Sequence, residues 1–72
     1  MIVDKYYTQD DINYYSLFPM LENAVIANIN FNNININVQT NNSKVALITN
    51  YSNKSAIRDI SLTNLKINEI YE

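Results

Sequence analysis

The spacing of apolar residues follows a period of two along most of this chain. From residue 22 onward apolar and polar residues alternate, which is typical of β-strands and not of helices. Ile29 and Phe31 alternate with asparagines, and the alternation then shifts by one position, so that Ile34 and Ile36 carry it on. Polar clusters at residues 41–43 and 52–54 predict turns. The pattern therefore predicts strands within 24–38, 44–51 and 56–70.

The first of these strands returns further along the chain. Residues 24–37 align without a gap on residues 55–68, and both copies shift their alternation at the same place, directly before Ile34 and Leu65. A fixed repeat of this length is typical of arrays in which each unit buries its apolar face on its neighbour. We therefore expect the two copies to pair in parallel and in matched register. The expected ladders are Ile29 on Ile60, Phe31 on Leu62, Ile36 on Ile67 and Asn33 on Asn64.

Asparagine replaces glycine in this sequence. The chain has 14 asparagines and 11 isoleucines but no glycine. Asparagine tolerates the left-handed backbone region better than most residues, because its short amide forms local hydrogen bonds. We therefore interpret many of the asparagines as corner residues between short strands.

Two stretches resemble a known repeat family. Residues 17–36 read Leu-Phe-Pro-Met-Leu-Glu-Asn-Ala-Val-Ile-Ala-Asn-Ile-x-Phe-x-Asn-Ile-x-Ile, and residues 46–67 carry a second, similar run. They resemble the GLUG-type repeats of bacterial surface proteins, without the glycines of that motif. The resemblance implies an all-β fold, a right-handed parallel β-solenoid of about two coils. It also implies a non-catalytic module of the kind attached to adhesins and immunoglobulin-cleaving peptidases.

The N-terminal part has a different pattern. We assign residues 1–15 to an N-terminal segment, a candidate cap, and residues 16–72 to the repeat region, with units of about 16–43 and 44–70. Thr8, followed by Asp10 and Asp11, has the composition of a helix start. This predicts a short helix over about residues 9–17, with an irregular lead-in as the alternative.

A second architecture fits the same pattern. In this α+β alternative a short helix packs on a three-stranded antiparallel sheet of residues 24–38, 44–51 and 56–70. The protein would then be a small phage or mobile-element product that binds and modulates a host protein. In either architecture the predicted partner is protein, and in the solenoid it is self-association, or a parent or partner chain, at the open edges of the coils.

Composition argues against most kinds of chemistry. The chain has no histidine, cysteine or glycine, which removes Ser-His-Asp triads, thiol nucleophiles, nearly all zinc sites and phosphate-binding loops. We therefore predict no enzymatic activity, no cofactor and no metal. The net charge of −2 argues against nucleic-acid binding, and no apolar run reaches the length of a membrane span. We expect the protein at the cell surface or secreted if it belongs to a larger exported chain, and in the cytoplasm if the chain is complete.

The candidate contact residues all lie in the N-terminal segment. Paired tyrosines present amphipathic rings suited to contact with a partner, and two acids lie between the pairs. Asp4, Asp10, Asp11 and Glu22 have the oxygen atoms that a hard cation such as calcium requires, but their spacing matches no known metal-binding loop. We expect no small-molecule ligand. The predicted partner contacts are Tyr6, Tyr7, Tyr14, Tyr15, Asp10 and Asp11.

Overall fold

The computed structural model describes residues 1–70, and residues 71 and 72 at the end of the predicted repeat region lie outside it. The described chain is all-β and contains no helix. Its strands are β1 (Ile2–Val3), β2 (Tyr6–Gln9), β3 (Ile12–Tyr15), β4 (Leu21–Glu22), β5 (Val25–Val38), β6 (Ser43–Val45), β7 (Ser52–Asn53) and β8 (Ala56–Glu69).

Parallel pairing between two long segments of the chain dominates the fold. Strands β5 and β8 run side by side from Val25 opposite Ala56 to Val38 opposite Glu69. This confirms the predicted parallel pairing and its register, with Ile29 opposite Ile60 and Phe31 opposite Leu62. The sheet orders are β1-β5-β8, β2-β3-β6 and β4-β7, and every pair except the β2-β3 hairpin is parallel.

Backbone hydrogen bonds between the two halves of the chain continue through the irregular stretches that connect the strands. The Leu17 amide donates to the Leu47 carbonyl at 3.1 Å, and the Ala56 amide donates to the Ala24 carbonyl at 2.9 Å. Backbone groups that leave the regular strands thus remain hydrogen-bonded to the neighbouring segment, which removes the cost of burying them unpaired.

Corners occur at equivalent places in the two segments. Positive φ angles are found at three pairs of residues 31 positions apart: Asn23 (φ 50°) and Lys54 (φ 51°), Asn28 (φ 58°) and Asp59 (φ 55°), and Asn33 (φ 57°) and Asn64 (φ 61°). The β5-β8 ladder skips the last two pairs, so the chain bends there and the side-chain alternation shifts. The interpretation of asparagines as corner residues is confirmed at five of the 14, namely Asn23, Asn28, Asn33, Asn42 and Asn64, and the other nine, which also lie within residues 1–70, have no positive φ angle.

Asn64 combines a corner with a ladder hydrogen bond, and this leads to a prediction. Its side-chain amide donates to Asn33 Oδ1 at 3.0 Å, and Asn68 donates in the same way to Asn37 Oδ1 at 3.0 Å from a position without positive φ. We expect Asn64→Ala to lower the free energy of unfolding by about 2 kcal/mol, because it loses the bond and places alanine, which has no side-chain amide to form local hydrogen bonds, in the left-handed region. Asn68→Ala, which loses only the bond, should cost about 1 kcal/mol. Urea unfolding would measure both, and equal losses would show that the corner conformation at Asn64 is not strained.

The predicted helix over residues 9–17 is wrong, and so is the α+β alternative. Strands β2 and β3 form an antiparallel hairpin whose turn is Asp10-Asp11, with φ angles of 54° and 64°. Two consecutive positive φ angles are those of a type I′ turn, which matches the twist of the flanking strands. Pairing of β3 with β2 on one side and β6 on the other outweighs the local helix-start signal. The long strands β5 and β8 also run parallel, whereas a meander requires antiparallel neighbours.

Apolar side chains from several strands form the core, and within residues 1–70 strands cover it on one side only. Its buried residues are Val3, Tyr15, Ile34, Ile36 and Val38, with Leu17, Phe31, Val45 and Leu47 packed against them. Val3, Ile36 and Ile67 occupy successive strands of one sheet at matching positions. Val3 is 8% exposed and Ile36 is 0% exposed, but Ile67 is 51% exposed. The apolar row therefore continues to an edge where nothing among residues 1–70 covers it.

Candidate interaction surfaces

The paired tyrosines come together on the hairpin. Tyr6 lies opposite Tyr15 and Tyr7 opposite Tyr14, because the Asp10-Asp11 turn places these residues in direct cross-strand register. The Tyr7 and Tyr14 rings stack at a centroid distance of 4.9 Å and an interplanar angle of 19°, and the Tyr6 and Tyr15 rings lie 5.1 Å apart and are tilted by 37°. Such aromatic pairs stabilise a hairpin beyond the area that they bury.

The two pairs differ in what they can contact. Tyr15 is completely buried, and its hydroxyl accepts from the Gln39 amide at 2.9 Å and is 3.0 Å from Thr40 Oγ1. Its side chain thus contributes to the core and is not accessible to a partner. Tyr7 and Tyr14 are half-buried on the opposite face of the hairpin, and Tyr6 is exposed.

Shallow hollows flank the stacked Tyr7–Tyr14 pair. One is also lined by Ser16, Leu17 and Pro19, and the other is also lined by Met20, Asn50 and Tyr51. We call this region, formed by the stacked Tyr7 and Tyr14 with the two hollows, the tyrosine face, and Tyr6 lines the first hollow from the other face of the hairpin. Its chemistry is that of flat aromatic surface beside methylene and amide groups, which suits a polypeptide or another extended chain.

The two acids of the hairpin turn lie apart from the tyrosine face. Asp10 and Asp11 are exposed at the tip, where a hollow is lined by their side chains together with Ile12, Asn42 and Lys44. Asp4 and Glu22 are not part of this hollow. Within residues 1–70 no group of three or more acidic side chains is close enough to hold a metal ion. The two aspartates suit the turn itself, since aspartate accepts the left-handed conformation that both adopt there.

The second surface is the outer side of β8, which we call the β8 edge. It consists of the unpaired side of the strand from Ala56 to Glu69 together with its exposed apolar residues Ile57, Leu62, Leu65 and Ile67. The equivalent residues of β5 are Ile26, Phe31, Ile34 and Ile36, of which Ile34 is 2% and Ile36 is 0% exposed. Phe31, Ile34 and Ile36 thus form the core or pack against it, whereas their counterparts in β8 are exposed, and the backbone beside those counterparts has an open row of donors and acceptors.

The other side of β5 is partly occupied. Strand β1 pairs with β5 at Asn35 and Ile36, and the amino terminus of Met1 donates to the Asn33 carbonyl at 2.8 Å. Strand β2 likewise lies on the side of β3 opposite to β6. The N-terminal residues therefore cover one side of the stacked strands, and the β8 edge forms the other.

The sequence pattern did not reveal two of these features. The pattern predicts both Tyr14 and Tyr15 as partner contacts. Neighbouring residues of a strand point to opposite faces of the sheet, so the two rings cannot both face a partner on one side. The pattern also predicted open edges without showing which side the N-terminal segment covers. No helix within residues 1–70 has the length and apolar character needed to cross a membrane.

Comparison with protein-family models, with curated proteins and with solved structures finds no match to this chain. The GLUG-type resemblance therefore stays a prediction made from residues 17–36 and 46–67.

Proposed function

We propose that this chain is a non-catalytic structural and binding module, two coils of a right-handed parallel β-solenoid. Its role is to continue a stack of coils, either as a piece of a larger bacterial surface protein or as a self-stacking unit. The observation that carries the proposal is the contrast between equivalent residues, with Ile36 at 0% exposure and Ile67 at 51%.

The hydrogen-bond pattern supports the solenoid. Residues 13–38 are hydrogen-bonded to residues 42–70 through strands and corners alike, and the three pairs of positive φ angles recur at one spacing. The shortest dimension of the molecule is 12 Å, close to the span of about 10 Å expected for three strands stacked along a solenoid axis. Side chains also form ladders along that axis, for example Ser61 donating to Asn30 Oδ1 at 2.9 Å.

The exposed end supports the binding role. In repeat arrays a terminal unit that faces solvent normally has a polar outer surface, because each unit is stabilised by its neighbour. Here the end formed by β8 instead exposes Leu62 (40%), Leu65 (40%) and Ile67 (51%) beside an unpaired strand. An apolar row of this kind beside open backbone groups is typical of a surface that pairs with another strand.

An added coil would test the proposal. A second copy of residues 39–69 joined after Glu69 should form a third coil on the β8 edge, because its inward residues would cover Leu65 and Ile67. We expect the free energy of unfolding to rise by about 2 kcal/mol, since the new interface buries apolar area that is now exposed. We also expect the amides on the outer side of β8 to exchange more slowly with solvent. Chemical denaturation and hydrogen exchange by NMR would measure the two effects.

A matched control separates packing from chain length. The same extension with aspartate at the three positions equivalent to Leu62, Leu65 and Ile67 should stay unfolded and leave the stability of the first two coils unchanged. If the apolar extension also leaves stability and exchange unchanged, the chain is not a unit that accepts a further coil.

The tyrosine face is a second candidate contact. The hypothesis of a small protein that docks on a host protein placed its contact surface there, and Tyr6, Tyr7 and Tyr14 are accessible to a partner while Tyr15 is not. Asp10 and Asp11 lie at the tip of the same hairpin and line a separate hollow. Because the stacked rings already stabilise the hairpin, their presence alone does not require a partner, and the proposal above is based on the β8 edge.

A further inference from the structure

The two sides of the stacked strands are not equivalent, and this restricts how copies of the chain can meet. On the β5 side, β1 occupies Asn35 and Ile36, and on the β3 side β2 occupies the whole strand. A copy stacking head to tail would place its β8 on β5 of the next copy, where β1 is already bound. No strand within residues 1–70 obstructs the pairing of two β8 edges.

We propose that the chain forms a twofold symmetric dimer in which β8 pairs antiparallel with β8 of a second copy. This inference rests on the proposed function and names the partner of the β8 edge. A surface that pairs with itself around a twofold axis must be self-complementary, so that each contact occurs twice. An antiparallel strand added to a parallel sheet is common in mixed sheets.

The corner at Asn64 determines the register. Inward residues precede it at Ile60 and Leu62 and follow it at Leu65 and Ile67, because the alternation shifts there. With the twofold axis between Thr63 and Asn64, Ile60 lies opposite Ile67 of the second copy and Leu62 opposite Leu65. Apolar side chains then meet apolar side chains on the inner face, and both bends lie at the axis. A shift by one residue would place inward residues opposite outward ones.

The charges on the outer face agree with this register. Ser61 lies opposite Lys66 of the second copy, which brings that lysine diagonally next to Asp59. Diagonal neighbours in a sheet are within reach of long side chains. The attraction between Lys66 and Asp59 of the other copy occurs twice by symmetry. Within one chain the two residues are seven positions apart on the same strand, about 20 Å. In a head-to-tail stack Asp59 and Lys66 would instead lie over the stretch of β5 from Ala27 to Asn35. That stretch contains no charged residue, so neither side chain would meet an opposite charge.

The absence of cysteine from the sequence makes a direct test available. Two single variants, Ser61→Cys and Lys66→Cys, are prepared separately and then oxidised alone and as a mixture. In the proposed dimer, position 61 lies opposite position 66 of the partner, with Cβ atoms about 5 Å apart, within the range of a disulfide. Two copies of the same variant have their cysteines about 17 Å apart. We expect a disulfide-linked dimer from the mixture and at least ~10-fold less from either variant alone.

Charge reversal gives a second readout that needs no cross-link. Sedimentation of the unmodified chain should show a monomer–dimer equilibrium that stops at two copies. Lys66→Glu should weaken the dimer by about 10-fold, because it places two like-charged pairs across the interface. Asp59→Lys combined with Lys66→Glu should restore most of the loss, and the Lys54 backbone shows that lysine accepts this conformation at φ 51°.

Three results would overturn the inference. These are an open series of larger species, a dimer in which the mixed cysteines do not join, and a chain that stays monomeric up to about 1 mM. None of them decides the proposed function, because the added-coil experiment measures whether the β8 edge accepts a coil within one chain. Conversely, a failed third coil together with a mixed disulfide would leave the antiparallel dimer and remove the solenoid role.

Discussion

Replacing Ile36 by alanine is expected to lower the free energy of unfolding by about 3 kcal/mol, and replacing Ile67 by alanine is expected to lower it by less than about 1 kcal/mol. The two isoleucines are direct neighbours at matching positions of β5 and β8. Ile36 is 0% exposed, so its truncation leaves a cavity between Val3 and Ile67, whereas Ile67 is already 51% exposed. For a chain of 72 residues, 3 kcal/mol is a large part of the total stability.

The pair of variants is its own control, because both remove the same atoms. Urea unfolding should be measured at a protein concentration low enough to keep the chain monomeric. At higher concentration the cost of Ile67→Ala should increase if β8 pairs with a second copy, because Ile67 would then be buried in the assembled form. Equal costs for the two variants at low concentration would show that β8 is not at the edge of the stack.

Tyr15 is the second residue whose replacement should have a large effect. We expect Tyr15→Ala to cost about 4 kcal/mol and Tyr15→Phe about 1.5 kcal/mol. The ring is completely buried in the core, and its hydroxyl is the acceptor for the Gln39 amide and a neighbour of Thr40 Oγ1. Phenylalanine keeps the ring and leaves the Gln39 amide without this acceptor, whereas alanine also leaves a cavity.

The cross-strand partner of Tyr15 supplies the control. Tyr6 is 46% exposed, so Tyr6→Phe should change the free energy of unfolding by less than about 0.5 kcal/mol. Thermal or urea unfolding would measure all three variants. A loss for Tyr6→Phe as large as that for Tyr15→Phe would mean that the Tyr6 hydroxyl is buried and hydrogen-bonded like that of Tyr15, which contradicts its exposure.

Local residue preferences do not decide the structure of the hairpin. The stretch from Thr8 to Asp11 has the residue types of a helix start, and the same residues form a type I′ turn in the structure. The choice between them depends on strands that are distant in sequence, because β3 gains a parallel partner in β6 only when it is extended. Nothing within residues 9–17 encodes that contact.

The amino-acid sequence alone determined the parallel register of β5 and β8 and the corners at asparagine. It did so through the alternation of apolar and polar residues, the shift of that alternation before Ile34 and Leu65, and the spacing between the two similar segments. These features could be predicted because each depends on a periodicity or a backbone preference of the residues themselves. The burial of Tyr15, the side covered by β1 and β2, and the exposure of Leu65 and Ile67 were decided by the tertiary structure alone. Identical patterns at Ile36 and Ile67 have opposite environments because burial depends on how many neighbours a strand has in the stack, and that number is a property of the assembled sheet.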